Sequence, residues 1–174
     1  FSRAVMGELT GAVRSSVIFV SSSKGIETES MKRMDELAWE VLSQGLEVMP
    51  GHPDVLYGRA LLSVELGKID EVEQDLRLIL EEDPRNPAAL NALGYTLADR
   101  TDEYRDAEKL IRKALRYDPE NPAIIDSYGW VLYKLGKNEE ALKQLRLAYE
   151  RLPDPEVAAH IVEVLAVMGR EDEA

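Results

Sequence analysis

Apolar residues recur at helical spacing along most of this chain. Leu90, Leu93, Gly94 and Leu97 form one stripe, and Ala107, Leu110, Ile111, Ala114 and Leu115 form the next. Intervals of three and four residues put such positions on one face of a helix. An earlier stripe, Met31, Met34, Ala38, Val41, Leu42, Gly45, Leu46 and Met49, predicts another helix that ends at Pro50. Between the stripes all eight prolines fall into four couplets, Pro50/Pro53, Pro84/Pro87, Pro119/Pro122 and Pro153/Pro155, whose first members recur at intervals of 34, 35 and 34 residues.

The couplets predict helix boundaries. The first proline of each ends the helix before it. The second suits the first helical position, where its fixed φ fits and its missing N–H would be unpaired anyway. The preceding residues, Asn86, Asn121 and Asp154, are good N-caps, and His52 is a weaker one. Midway through three units a glycine follows an apolar residue, at Leu66-Gly67, Leu135-Gly136 and Met168-Gly169, which suits a left-handed stop between two helices. Each unit is therefore a pair of short helices, A and B.

On these residues the chain resembles the tetratricopeptide-repeat family, whose period is near 34. The large-small-large pattern of that family's helix A matches Leu90/Leu93/Gly94/Leu97 and Ile125/Tyr128/Gly129/Leu132. Its helix B matches Ala107/Ile111/Ala114/Pro119 and Ala141/Leu145/Ala148/Pro153. The resemblance implies an all-α fold, an α-solenoid of stacked antiparallel helix pairs forming a right-handed superhelix. The units are residues 53–86, 87–121 and 122–154, preceded by a helix B over 31–52 and followed by a partial unit over 155–174. Residues 1–30 match the pattern poorly; a helix near 8–22 and a long loop are expected there. The incomplete units at both ends predict a fragment of a longer array.

Three departures stand out. Arg59 occupies a place where the family prefers an apolar residue, and Val72 one where it prefers a small residue. The 87–121 unit has one residue more and lacks a glycine in Arg100-Thr101-Asp102-Glu103, which predicts an enlarged turn.

Composition narrows the functional classes. The chain has 174 residues, 45% hydrophobic and 31% charged, enough for repeats sharing one core. Its formal charge of −12 opposes the phosphate neutralisation on which nucleic-acid binding rests, so no nucleic-acid partner is expected. The longest apolar run, Val17 to Val20, is far short of the roughly 20 residues that span a bilayer, so no direct membrane insertion is expected either. With no cysteine there is no disulfide, thiolate nucleophile or thiolate metal site. His52 and His160 are the only histidines and lie far apart in a solenoid, which argues against a shared metal or a Ser-His-Asp triad. His52 reads as a turn residue and His160 as a helix residue. Acidic runs such as Glu71/Glu73/Asp75 read as solvated helix faces. No catalytic residue, metal site or cofactor is expected.

A stacked array of this kind lines a concave groove with its A helices. The residues expected on that groove are Tyr57 and Leu61, then Asn91 and Tyr95, then Asp126, Trp130 and Tyr133, and finally Glu163. The four aromatics Tyr57, Tyr95, Trp130 and Tyr133 form a ladder of the residue types that dominate binding hot spots. A packing role competes for the same four rings. Tyr57, Asn91 and Asp126 stand where a clamp for a C-terminal carboxylate would need basic donors, so an apolar or mildly basic segment is the better ligand.

The phrases from Asn91 to Thr101, Asn121 to Tyr133 and Ala158 to Leu165 carry a narrower likeness. Over residues 50–174 the chain resembles the C-terminal repeats of bacterial outer-membrane tetratricopeptide lipoproteins. That likeness implies a noncatalytic scaffold or adaptor at the periplasmic face of the outer membrane, binding a protein or peptide. It extends to an adaptor for a carboxyl-terminal processing protease or a cell-wall enzyme. A cytoplasmic location, a homo-oligomeric self-assembly module and a hydrolase using groove carboxylates are the alternatives.

Overall fold

A computed structural model describes residues 28–173. Eight α-helices follow one another there: α1 (Thr28–Val48), α2 (Pro53–Glu65), α3 (Ile69–Glu82), α4 (Pro87–Arg100), α5 (Tyr104–Tyr117), α6 (Pro122–Lys134), α7 (Asn138–Arg151) and α8 (Pro155–Val167), with a short 3₁₀ turn at Glu171–Glu173. The described residues contain no strand. The helix expected near residues 8–22 lies outside the described residues.

Local chemistry sets the ends of these helices. Proline occupies the first turn of α2, α4, α6 and α8. Ahead of it the side chains of Asn86, Asn121 and Asp154 accept hydrogen bonds from the backbone N–H of Ala89, Ala123 and Glu156 at 3.0, 3.1 and 2.8 Å. His52 makes no such cap. At the other end of α2, Gly67 adopts φ +69° and the N–H groups of Gly67 and Lys68 bond the carbonyls of Val64 and Ser63. Gly136 closes α6 with the same pair of bonds, to Tyr133 and Leu132. A left-handed residue in that place satisfies carbonyls that the helix leaves unpaired.

The glycine-free unit solves this stop differently. The hydroxyl of Thr101 donates to the Leu97 carbonyl at 2.6 Å and accepts from the Glu103 N–H at 3.1 Å. Three residues join α4 to α5, as three join α2 to α3 and α6 to α7. The expected enlargement is therefore absent from the turn. The extra residue lengthens the helix, which has 14 residues where α2 and α6 have 13.

Consecutive helices pack on one another, and α4 touches α6 as α6 touches α8, so the A helices stand in a row. This is an all-α solenoid of stacked antiparallel helix pairs. Leu56, Leu76, Leu90, Leu93, Leu97, Ile111 and Ala114 belong to one continuous core that runs from α2 to α6, and Leu132, Leu145, Val164 and Leu165 extend the packing to α8. Small residues bring the A and B helices together. A methyl added at Gly94 would stand 2.6 Å from Ile111 Cγ1, and one at Gly129 2.7 Å from Leu145.

The Arg59 departure has a structural cause. Its guanidinium holds both oxygens of Asp75 on α3, with Nε to Oδ2 at 2.8 Å and Nη2 to Oδ1 at 2.6 Å, and its third nitrogen reaches the Ser43 hydroxyl on α1 at 3.3 Å. Asp75 is fully buried, which overturns the reading of that acidic run as a solvated face at this one residue. Trp39 completes the cluster. Its indole N–H donates to the buried Ser63 hydroxyl at 2.8 Å, and the Lys68 ammonium lies 3.3 Å from its ring centroid. Three helices are thus tied by polar contacts in a unit whose apolar pattern is the least regular of the three. Val72, the second departure, is buried at 1% exposure.

Candidate protein-binding groove

Counting the helix-opening proline as the first residue, the fifth and ninth places of the A helices hold Tyr57 and Leu61, Asn91 and Tyr95, Asp126 and Trp130, and Ala159 and Glu163. One face of each A helix is therefore built from equivalent positions. Exposure at the ninth place changes along the row. Leu61 is 48% exposed, Tyr95 is half-buried, Trp130 is 5% exposed and Glu163 is exposed.

The cover over Trp130 comes from the sixth place of the next A helix. It carries Ala92 after Leu61, Ser127 after Tyr95 and His160 after Trp130. The imidazole stacks on the indole with ring centroids 4.2 Å apart and planes inclined by 23°.

Two of the eight groove residues expected from sequence are consequently not open to a ligand. Trp130 is a packing residue between α6 and α8, and Asp126, at 7% exposure, spends an oxygen on His160 Nδ1 at 3.0 Å. Tyr133 is half-buried, with its ring 5.2 Å from Trp130. Tyr95 approaches the same imidazole at 6.4 Å, and its hydroxyl donates to Glu156 Oε1 at 3.2 Å. Glu163 lies beside the Tyr133 hydroxyl. Asn91, on α4, is half-buried, and its Oδ1 has no hydrogen-bond partner; nor has the buried Nε1 of Trp130. Tyr57 and Leu61 stand apart from this cluster on α2, where Tyr57 packs on the core and Leu61 faces solvent.

The structure thus gathers Tyr95, Asp126, Trp130, Tyr133 and Glu163 around a residue that the sequence reading left out, His160. A signal existed. The sixth place holds Gly58, Ala92 and Ser127 in the earlier A helices, so an imidazole there has to insert against the helix before it.

The electrostatics of the cluster follow from burial and acidic neighbours. Burial disfavours the imidazolium of His160, but the hydrogen bond and charge of Asp126, joined by Glu156 and Glu163, outweigh it and raise the pKa above the ordinary histidine value. Burial, then the charges of Glu156 and Asp99, push the Tyr95 phenol far up, so it remains a donor. Lys134 is the cation of this region, with its ammonium 4.6 Å from the Trp130 centroid.

The raised histidine makes stability depend on pH. A group whose folded pKa exceeds its unfolded value contributes fully below the unfolded value, about 6.5, and loses that contribution as pH rises through the folded value. Denaturant midpoints of the wild type and His160→Gln, compared at pH 6 and pH 8, should therefore differ more at pH 6. An equal difference at both values would show that the imidazole is not charged in the fold.

A family model described as tetratricopeptide repeat matches residues 101–161. TPR repeat-containing protein PA4667 of Pseudomonas aeruginosa is 45% identical over 140 residues, which cover 79% of this chain and 24% of that protein. The chain thus spans about a quarter of that relative's length. Among solved structures, the protein TTC0263 of Thermus thermophilus, described as a thermophilic TPR protein, aligns with a TM-score of 0.72 at 22% identity, covering 80% of this chain and 77% of that one. MamA of Desulfovibrio magneticus RS-1 aligns with a TM-score of 0.66 at 14% identity, covering 83% and 85%. At these identities the two structures show the fold alone.

Proposed function

The chain belongs to the tetratricopeptide-repeat family, and we propose that it is a noncatalytic scaffold or adaptor whose row of A helices holds a protein or peptide partner. The observation that carries this reading is the face of the A helices itself: exposed Leu61, half-buried Tyr95 and exposed Glu163 share the ninth place on their helices, with half-buried Tyr57 and Tyr133 beside them. Rigid rings backed by a core present contact area at low entropic cost. Among the described residues no three His, Cys, Asp or Glu side chains converge as a metal site, and no helix is long and apolar enough to cross a membrane.

The likeness of residues 50–174 to the C-terminal repeats of bacterial outer-membrane tetratricopeptide lipoproteins extends the proposal. In that form the chain is part of an adaptor at the periplasmic face of the outer membrane, presenting a carboxyl-terminal processing protease or a cell-wall enzyme to its targets. Proteins crosslinked to the wild type and to Leu61→Glu/Tyr133→Ser can be compared by mass spectrometry. Leu61 is exposed and Tyr133 is half-buried at the groove, so the variant should lose a defined set of partners while keeping its helical circular dichroism. Identical sets from the two proteins would remove the groove from the account.

A further inference from the structure

The joints between successive A helices differ in one respect. Where α4 meets α2 the sixth place holds Ala92, and where α6 meets α4 it holds Ser127, whose hydroxyl donates to the Ala123 carbonyl of its own helix. Neither residue can change its charge. At the α6–α8 joint the same place holds His160, 7% exposed, with Nδ1 3.0 Å from Oδ1 of the equally buried Asp126. The buried Arg59–Asp75 pair at the other end of the array is no equivalent, because a guanidinium keeps its charge at any ordinary pH.

The groups around this imidazole make its proton consequential. Helix α6 supplies Asp126, the Trp130 ring stacked at 4.2 Å, and Tyr133 and Lys134 against that ring. Helix α4 supplies Tyr95, 6.4 Å from the imidazole, with the charge of Asp99 acting on its phenol. On α8 itself Glu156 and Glu163 lie one turn to either side. Helix α7 meets α8 through apolar side chains, Leu142 and Leu145 against Val164 and Leu165. With His160 charged, its contact with Asp126 is a charge-assisted bond across the joint, and both glutamates add attraction. With His160 neutral, that bond is an ordinary one, and Asp126, Glu156 and Glu163 are left as three carboxylates without the imidazolium between them.

We propose that the α6–α8 joint is a pH-sensitive hinge of the groove: the proton on His160 holds α8 against α6, and its loss loosens α8 and uncovers the Trp130 face that the imidazole occupies. The sign follows from linkage. The closed joint favours the proton, so protons favour the closed joint, and the hold weakens as pH rises. A consequence that rests on the binding-groove reading above is that the ring cluster of Tyr95, Trp130 and Tyr133 is closed in mildly acid and open in mildly alkaline solution.

Amide exchange of the wild type at pH 6 and pH 8.5, followed by mass spectrometry and corrected for the pH dependence of intrinsic exchange, reads the hinge without a partner. Protection of α8 should fall about fivefold between the two, the difference between a charged and a neutral hydrogen bond, while α4 and α5 keep theirs. His160→Gln should show the low protection at both values, and His52→Gln should keep the wild-type response. A second readout serves if His160→Gln does not fold. In Trp39→Phe the remaining one of the two tryptophans is Trp130, and acrylamide should quench its fluorescence more strongly at pH 8.5 than at pH 6. Unchanged α8 protection, a fall shared equally by α2 to α8, or a pH response that persists in His160→Gln overturns the hinge, as does equal quenching at both values. Because no partner takes part, each of these outcomes leaves the groove reading to the crosslinking comparison.

Discussion

Replacing Arg59 by alanine lowers the stability of the first described units by about 3–5 kcal/mol, the range for removing one partner of a buried ion pair. The size follows from what is left behind. Asp75 has no exposure and receives two hydrogen bonds from Arg59, so in Arg59→Ala its charge would stay buried with both donors gone. Asp75→Ala should be milder. The orphaned guanidinium, with a side chain 17% exposed, can turn its head toward water while its stem remains packed. A double replacement by apolar residues of similar size should recover much of the loss, because the desolvation of two charges is then avoided.

Repeat arrays distribute such a loss unevenly, since each unit is stabilised mainly by its neighbours. Amide exchange in Arg59→Ala should accelerate in α1 to α3 and change little in α7 and α8. Uniform acceleration, or a loss below about 1 kcal/mol, would mean that the pair is a surface interaction in solution.

The same pair shows which features the sequence displays and which it hides. Helix starts are written locally: proline with Asn86, Asn121 or Asp154 before it fixes a boundary through bonds two or three residues long. The glycine stops at Gly67 and Gly136 are equally local. Arg59 was visible as a departure, but its partner was not. Asp75 sits 16 residues away within an acidic run, and only the register of α2 against α3 separates it from its solvated neighbours. His160 and Asp126 are 34 residues apart and meet only through the stacking of α6 on α8. The groove rings were readable as a set on one face. How deeply Trp130 is covered depends on His160 of the next A helix, a relation between units that a search within one unit does not reveal.

Trp130→Ala carries the second large effect and separates packing from recognition. Deleting a buried tryptophan side chain costs about 3–5 kcal/mol, and here the indole stacks on His160 at 4.2 Å while Tyr133 lies against it at 5.2 Å. For an array of this length that corresponds to a fall in melting temperature of roughly 10 °C. Trp130→Phe should lose considerably less. It keeps a ring for the imidazole, and the N–H it removes has no partner to leave unsatisfied. A Trp130→Ala protein that melts within about 2 °C of the wild type would show that the indole contributes little to the α6–α8 junction. The expected instability has a consequence for binding measurements. Loss of a partner in Trp130→Ala would report the collapse of that junction as much as the removal of a contact, whereas Leu61 is exposed on α2, apart from the stacked rings.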